Sequence, residues 1–332
     1  MNSVKDISHE RIIDFLKKSY DCKEIQTLIE VHATNAAWIV ESENIQFVLK
    51  IFNCDSDYTD RIAEEATLFD FLNKHHLNVP RIVKNSDGHS VSVFDDGQDM
   101  HSALFMHYED AAVFLPSKIS PENIRTIGQA TAQLHMALAT YPVNLSLYEK
   151  WHWEEQKSTF SLLLTSKNKD IFTSEELKKI ESVDQNACEF LHSLSKNIFE
   201  PLQQSILHGD INLGHARFLP NGEVFFLDFG DRIHGPIAYE LATLRVGLFR
   251  KEDISFEKLD ELYQSFLDGY MRYNPLSPTD IQSVSFLSIK RALDEIHVVN
   301  TLSLTLEEPI DDERNKRRYR LIEHDVLESL HS

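Results

Sequence analysis

The chain has 332 residues, 42% of them hydrophobic and 10% aromatic, which is enough for a sizeable core and natural for two lobes. Its 53 acidic residues outnumber 33 basic ones and leave a net charge of −20, so a basic face for nucleic acid is not expected, and the surplus suits solubility or a cationic small-molecule partner. Cys22, Cys54 and Cys188 are far apart with no Cys-x-x-Cys, residues 1–10 lack an apolar signal core, and no apolar run approaches the roughly 20 residues of a membrane span; a disulfide framework, thiolate zinc and membrane insertion are thereby excluded and a cytoplasmic location is expected.

In chain order, Ser8 and Glu10 ahead of Ile12, Ile13, Phe15 and Leu16 predict a capped amphipathic helix over 8–19. Three strand-like runs follow at 24–31, 36–42 and 46–52, with turns at Thr34-Asn35 and Glu43-Asn44, and predict an antiparallel meander. The third run is apolar except for Lys50, which is either snorkelling at an edge or aimed at an anion. Residues 59–74 form a helix that buries Ile62, Leu68, Phe69 and Leu72, with Glu64 and Glu65 in its middle. Strands are expected at 90–94 and 101–107. Helices then dominate, at 122–139, 148–165, 174–197, 238–249, 256–273, 278–304 and 311–330. This order is α+β, not alternating βαβ, and divides into a strand-rich lobe over 1–109 and a helical lobe over 110–332 with one embedded β-hairpin.

The hairpin lies within residues 206–231. Phe218 to Leu227 reads as strand, turn at Pro220-Asn221-Gly222, and strand, which would fold the loop holding Asp210 back toward Asp228. Singly, Asp210 would be a turn cap and Asp228 a solvated strand end. Together, two carboxylates at loop ends suit a divalent cation and a proton acceptor.

The motifs in this order resemble the aminoglycoside phosphotransferase and choline kinase-like superfamily, to which type II homoserine kinases and bacterial stress-response kinases are similar. The matching pieces are Phe47-Val48-Leu49-Lys50, Glu65-Ala66-Thr67-Leu68-Phe69, Val79-Pro80-Arg81, Gly128 to His135, His208-Gly209-Asp210, Leu227-Asp228-Phe229-Gly230-Asp231 and Gly235-Pro236 through Ala242. The resemblance implies a bilobal protein-kinase-like fold, with a nucleotide-binding N-terminal lobe and a helical catalytic and acceptor-binding C-terminal lobe. It implies ATP and Mg²⁺ as cofactors and transfer of phosphate to the hydroxyl of a small molecule such as an amino alcohol, amino sugar or aminoglycoside. By the same resemblance Lys50 contacts the nucleotide phosphates and is held by Glu65, Asp210 orients the acceptor hydroxyl and takes its proton, Asp228 binds the metal, and His208 fixes the loop. Protein Ser/Thr phosphorylation of the stress-response type and a pseudokinase binding module are the alternatives.

Three positions depart from the family pattern. Where the family has a second metal-ligating Asn, five residues after the catalytic Asp, this chain has His215, although Mg²⁺ prefers oxygen. His215 hydrogen-bonds Asp210 or the phosphates, or Asn212 supplies the oxygen, or metal binding is weakened. The turn between the first two strands, Val31 to Trp38, has no glycine, which leaves Thr34 as either a phosphate contact or a turn residue. Glu240 replaces an Asp and is expected to accept hydrogen bonds from the loop. Trp151 and Trp153 are assigned to packing of the helical lobe, and the basic run 315–320 to a solvated helix face.

Overall fold

The computed structural model describes residues 7–31, 36–52, 56–142, 144–150, 158–194, 201–307, 309–310 and 312–331. Thr34, Trp151 and Trp153 lie outside them. The chain divides into two compact units: residues 1–112, 141–147 and 218–227 form one, and 113–140, 148–217 and 228–332 the other.

In the first unit, helix α1 (His9–Tyr20) starts where Ser8 accepts the Arg11 amide and buries Ile12 and Leu16. Strands β1 (Ile25–Val31), β2 (Ala36–Ser42) and β3 (Ile45–Phe52) form the meander. Glu43 and Asn44 both have positive φ, 53° and 63°, the geometry a tight two-residue hairpin requires. Helix α2 spans Ser56–Lys74, followed by β4 (Ser92–Asp95) and β5 (Met100–His107). The antiparallel sheet runs β1-β2-β3-β5-β4, so Lys50 of β3 sits in a central strand opposite Leu104. Alternation along the strands places Trp38, Val40, Leu49, Ile51, Phe94 and Phe105 in one core with Ile12 and Leu16.

The second unit is mainly helical. It contains α3 (Pro121–Leu138), the short strand β6 (Glu149–Lys150), α4 (Phe160–Thr165), α5 (Ser174–Ser193) and β7 (Gln204–Leu207). Strands β8 (Ala216–Phe218) and β9 (Val224–Phe226) make the two-stranded hairpin, which from residue 218 to 227 is counted in the first unit and whose turn carries Gly222 at φ 83°. Then come β10 (Ile233–Pro236), α6 (Ile237–Lys251), α7 (Phe256–Tyr270), α8 (Pro278–Leu306) and α9 (Asp312–His331). β10 lies between β6 and β7, parallel to the first and antiparallel to the second. Helix α6 is buried from Ile237 through Phe249, and its Arg245 is tied to Asp325 of α9 by a buried two-pronged ion pair.

Two expectations need correction. Residues 148–165 are not one helix: β6 precedes it, and α4 begins only at Phe160, after the amide and hydroxyl of Thr159 are captured by the buried Asp184 at 3.0 and 2.6 Å. The run 315–320 is not a solvated face. Asn315, Arg318 and Tyr319 are buried at 1, 2 and 4% exposure, because α9 packs against α8, α6 and α5; only part of the run, such as Arg320, reaches out to an exposed partner, Asp253.

Gly128 of α3 owes its place to a close helix approach. A Cβ there would lie 2.1 Å from the Phe266 carbonyl of α7, and one on Gly269 of α7 would lie 2.0 Å from the Arg125 carbonyl. Gly128→Ala is therefore expected to push two backbones apart and lower stability by about 1–3 kcal/mol. Urea denaturation should show a lower midpoint with an unchanged slope.

Candidate active site

The site grows out of the β7–β10 ladder. Ile233 pairs with Leu207, so the chain leaving β7 runs beside the chain entering β10. That pairing, more than the hairpin, sets His208-Gly209-Asp210 against Asp228-Phe229-Gly230-Asp231. Gly209 has φ 87°, and a Cβ there would be 1.9 Å from the Asp231 carbonyl, so no other residue fits. The loop amides are collected by Glu240 of α6, whose two carboxylate oxygens each accept from the Gly209 amide at 3.1 Å while one accepts from Ile211 at 3.3 Å. Burial alone would raise the Glu240 carboxyl. The His135 imidazole, 3.8 Å away, together with His208 and the Gly209 amide, outweighs it and holds the group ionised. His208 is wholly buried, its ring 4.3 Å from that of Phe229, and its Nδ1 accepts the Asp210 amide at 3.3 Å.

This scaffold fixes the Asp210 carboxylate, which is held on both oxygens. Oδ1 accepts from Arg291 Nη2 at 2.9 Å, with Arg250 Nη2 3.9 Å away. Oδ2 lies 3.3 Å from His215 Nδ1, which is also 2.9 Å from the Asp210 carbonyl. Burial pushes the His215 imidazole below its usual range, against the opposing pull of Asp210, so the ring is neutral near pH 7. Nδ1 also has the Asn212 amide nitrogen at 3.2 Å, which donates to the Asp210 carbonyl at 3.1 Å, and Nε2 lies 3.8 Å from Asp228 Oδ2.

Asp228 sits in the left-handed region at φ 65°, and its side chain is 42% exposed. Asp231 is more deeply set; burial raises its carboxyl, and Asp210 and Asp228 add to the rise. Among the described residues no group of three or more His, Cys, Asp or Glu side chains is set to hold a metal. The donors present fit one oxygen-seeking divalent ion held by Asp228, since Mg²⁺ takes one or two carboxylates with phosphate and water. Asn212 does not fit as a ligand: its Oδ1 accepts the Gly214 amide at 2.7 Å, and the residue is buried.

The site residues expected from the sequence thus fall into two groups. Asp210, His215 and Asp228 come together in the second unit. Lys50 and Glu65 both lie in the first. Lys50 is half-buried on β3 with Nζ 5.0 Å from the Phe52 ring centroid, and Glu65 is 5% exposed on α2.

The sequence did not reveal a cluster of arginines. Arg291 and Glu295 are one turn apart on α8, with Nε to Oε1 at 3.2 Å. Arg250, in the last turn of α6, reaches Glu295 at 2.7 Å, and Arg318 of α9 reaches the same carboxylate at 2.9 Å. The i, i+4 spacing of Arg291 and Glu295 was the available signal, but such pairs are common on exposed helix faces.

The fold is of the protein-kinase-like class, mixed helix and strand with an antiparallel five-stranded sheet. The chain belongs to the phosphotransferase enzyme family (APH), which its sequence matches over residues 26–278. No curated protein sequence matches it. Among solved structures it is similar to amicoumacin kinase hAmiN in complex with AMP-PNP and Ca²⁺, at 17% identity and TM-score 0.70 over 96% of this chain and 93% of that one. A microcompartment-associated aminopropanol kinase is similar at 17% identity and TM-score 0.68, over 97% and 95% of the two chains. Spectinomycin phosphotransferase APH(9)-Ia, in complex with ADP and spectinomycin, is similar at 14% identity and TM-score 0.68, over 99% and 100%. Among the described residues no helix is long and apolar enough to cross a membrane.

Glu295 supplies a test of the cluster. Burial opposes its charge, but Arg250, Arg291 and Arg318 prevail and hold its carboxyl at about 2 against the usual 4.5. A carboxyl depressed in the folded state contributes stability that is complete above its unfolded value, here 4.5, and is lost as pH falls toward the folded value. Glu295→Gln is expected to cost about 3–5 kcal/mol at neutral pH, because three guanidiniums lose their shared carboxylate. Denaturation of wild type and variant at neutral pH and near pH 3 should show the gap narrowing with acid; a constant gap would contradict the assignment.

Proposed function

We propose that this chain transfers the γ-phosphoryl group of ATP, with Mg²⁺, to a hydroxyl of a small molecule in the cytoplasm. The observation that carries the proposal is Asp210, rigidly presented by the Gly209–Glu240 loop beside the exposed carboxylate of Asp228. Phosphoryl transfer asks a protein mainly for positioning and charge neutralisation, and this pair supplies both.

In this proposal Asp210 orients the acceptor hydroxyl and takes its proton. Its rotamer is set before substrate arrives, because Arg291 and His215 hold opposite oxygens. Asp228 holds the metal, which when bound would screen the nucleotide phosphates. His215 donates from Nδ1 to Asp210 and lies at the edge of the metal position, in place of an oxygen ligand. Lys50 pairs with the nucleotide phosphates, with Glu65 as its counter-ion, and Thr34 contacts phosphate from the turn between the first two strands. An amino alcohol or amino sugar as acceptor agrees with the net charge of −20 and with the aminopropanol and spectinomycin enzymes named above.

A rival reading, that of a pseudokinase binding module, is favoured by one observation: the carboxylate of Asp210 is already engaged by Arg291. Turnover separates the two. ADP release is expected with ATP, Mg²⁺ and a suitable alcohol from an acceptor panel. Asp210→Asn should lower kcat by about 10²–10⁴ with the protein still folded. Removing divalent cations with chelator should abolish turnover and added Mg²⁺ should restore it. Turnover that survives in Asp210→Asn would refute the assigned base, and label passing to protein in place of the small alcohols would move the acceptor class.

A further inference from the structure

Two arginines, Arg250 and Arg291, stand beside Asp210, and a third, Arg318, shares Glu295 with them. Among the described residues Arg250, Arg291 and Arg318 form ion pairs with two carboxylates, Glu295 and Asp210, with Asp231 close enough to feel the charge of Arg291, and none of the five paired side chains is more than 15% exposed. The adjacent Lys290 and Asp294 pair with each other at 2.8 Å. Arg250 is the least satisfied member. A guanidinium has five N–H donors. Arg250 Nη1 reaches Glu295 at 2.7 Å, Nη2 stays 3.9 Å from Asp210, and the buried Nε has no hydrogen-bond partner among the described residues. Donors left over at that depth are normally taken by ordered water or an anion.

We infer that Arg250 and Arg291 form an anion subsite, so that the acceptor carries a carboxylate or phosphate a few bonds from its reacting hydroxyl, whether or not it also carries an amine. The inference rests on Asp210 being the group that orients that hydroxyl. A hydroxyl on Asp210 sits about 3 Å from the carboxylate. Arg291 is 2.9 Å from the same carboxylate, which places the hydroxyl within about 6 Å of the guanidinium. An anionic group roughly one to three carbons away from the hydroxyl spans that gap. Forked guanidinium donors suit the two oxygens of a carboxylate or phosphate better than an ammonium would. The arginines contact Oδ1 of Asp210, whereas His215, which leads on to Asp228, contacts Oδ2. That division assigns the anion to the acceptor and not to the phosphoryl group in transfer.

The test is ADP release over acceptors paired by their anionic group: glycerate against glycerol, serine against ethanolamine, and glycerol phosphate against propanediol, with aminopropanol and choline as cations. An anionic member is expected to exceed its partner at least tenfold in kcat/KM, the scale of one charge-assisted hydrogen bond. Arg250→Gln should raise KM for that acceptor tenfold or more and leave KM for ATP unchanged, while Arg250→Lys recovers part of the loss. Preference for the partner lacking the anion in every pair would overturn the inference. A rise in KM for ATP in Arg250→Gln would also overturn it, because the arginines would then serve the nucleotide. If no acceptor turns over, the failure falls on the proposed reaction, and calorimetric titration of glycerate and glycerol phosphate into nucleotide-free protein decides the subsite. Binding that is present in wild type and weakened in Arg250→Gln supports it, and absence of binding at millimolar concentration overturns it.

Discussion

The carboxylate of Glu240 is the constraint on which the site depends. It is fully buried, yet ionised, because two loop amides and two imidazoles surround it. Those amides belong to the loop that presents Asp210, so a carboxylate of α6 determines the position of the Asp210 side chain. Gly209 completes the arrangement from the other side, since its missing Cβ lets the loop rest on the Asp231 carbonyl. An Asp at position 240 would need the loop or the helix to move closer; the longer Glu reaches the amides from a helix already packed on both faces.

From that fixed backbone, the electrostatics divide at a single carboxylate. One oxygen of Asp210 faces His215 and, beyond it, Asp228; the other faces arginines drawn from α6 and α8. The arginines are charged at depth because Glu295 and Asp210 compensate them, and Arg291 remains protonated because Tyr239, Glu295 and Asp210 outweigh its burial. One carboxylate is thereby shared between a histidine on one side and guanidiniums on the other.

Most of the architecture was readable from local pattern. Period-2 alternation with the Glu43-Asn44 turn marked the meander, and polar caps such as Ser8 marked helix starts. The order of the motifs from Lys50 to Ala242 carries the family signature. What was not readable is long-range. The β7–β10 ladder pairs segments separated by the whole hairpin and carries few residues, so no local period announces it. Residues 315–320 look like a solvated face because their burial is imposed by neighbouring helices and by the distant Glu295. Arg250, Arg291 and Arg318 lie on three different helices, and only tertiary packing gathers them. His215 is the intermediate case: its position in the motif was plain, but that its Nδ1 would turn to Asp210 followed from burial and from the two acceptors placed beside it.

Calorimetric titration of ATP with and without Mg²⁺, into wild type and Asp228→Asn, bears most directly on whether this is a metal-dependent phosphotransferase. Wild type should bind the nucleotide more tightly with Mg²⁺ present, and Asp228→Asn should lose that enhancement while staying folded. No binding at millimolar ATP, or a Mg²⁺ effect that is undiminished in Asp228→Asn, would contradict it.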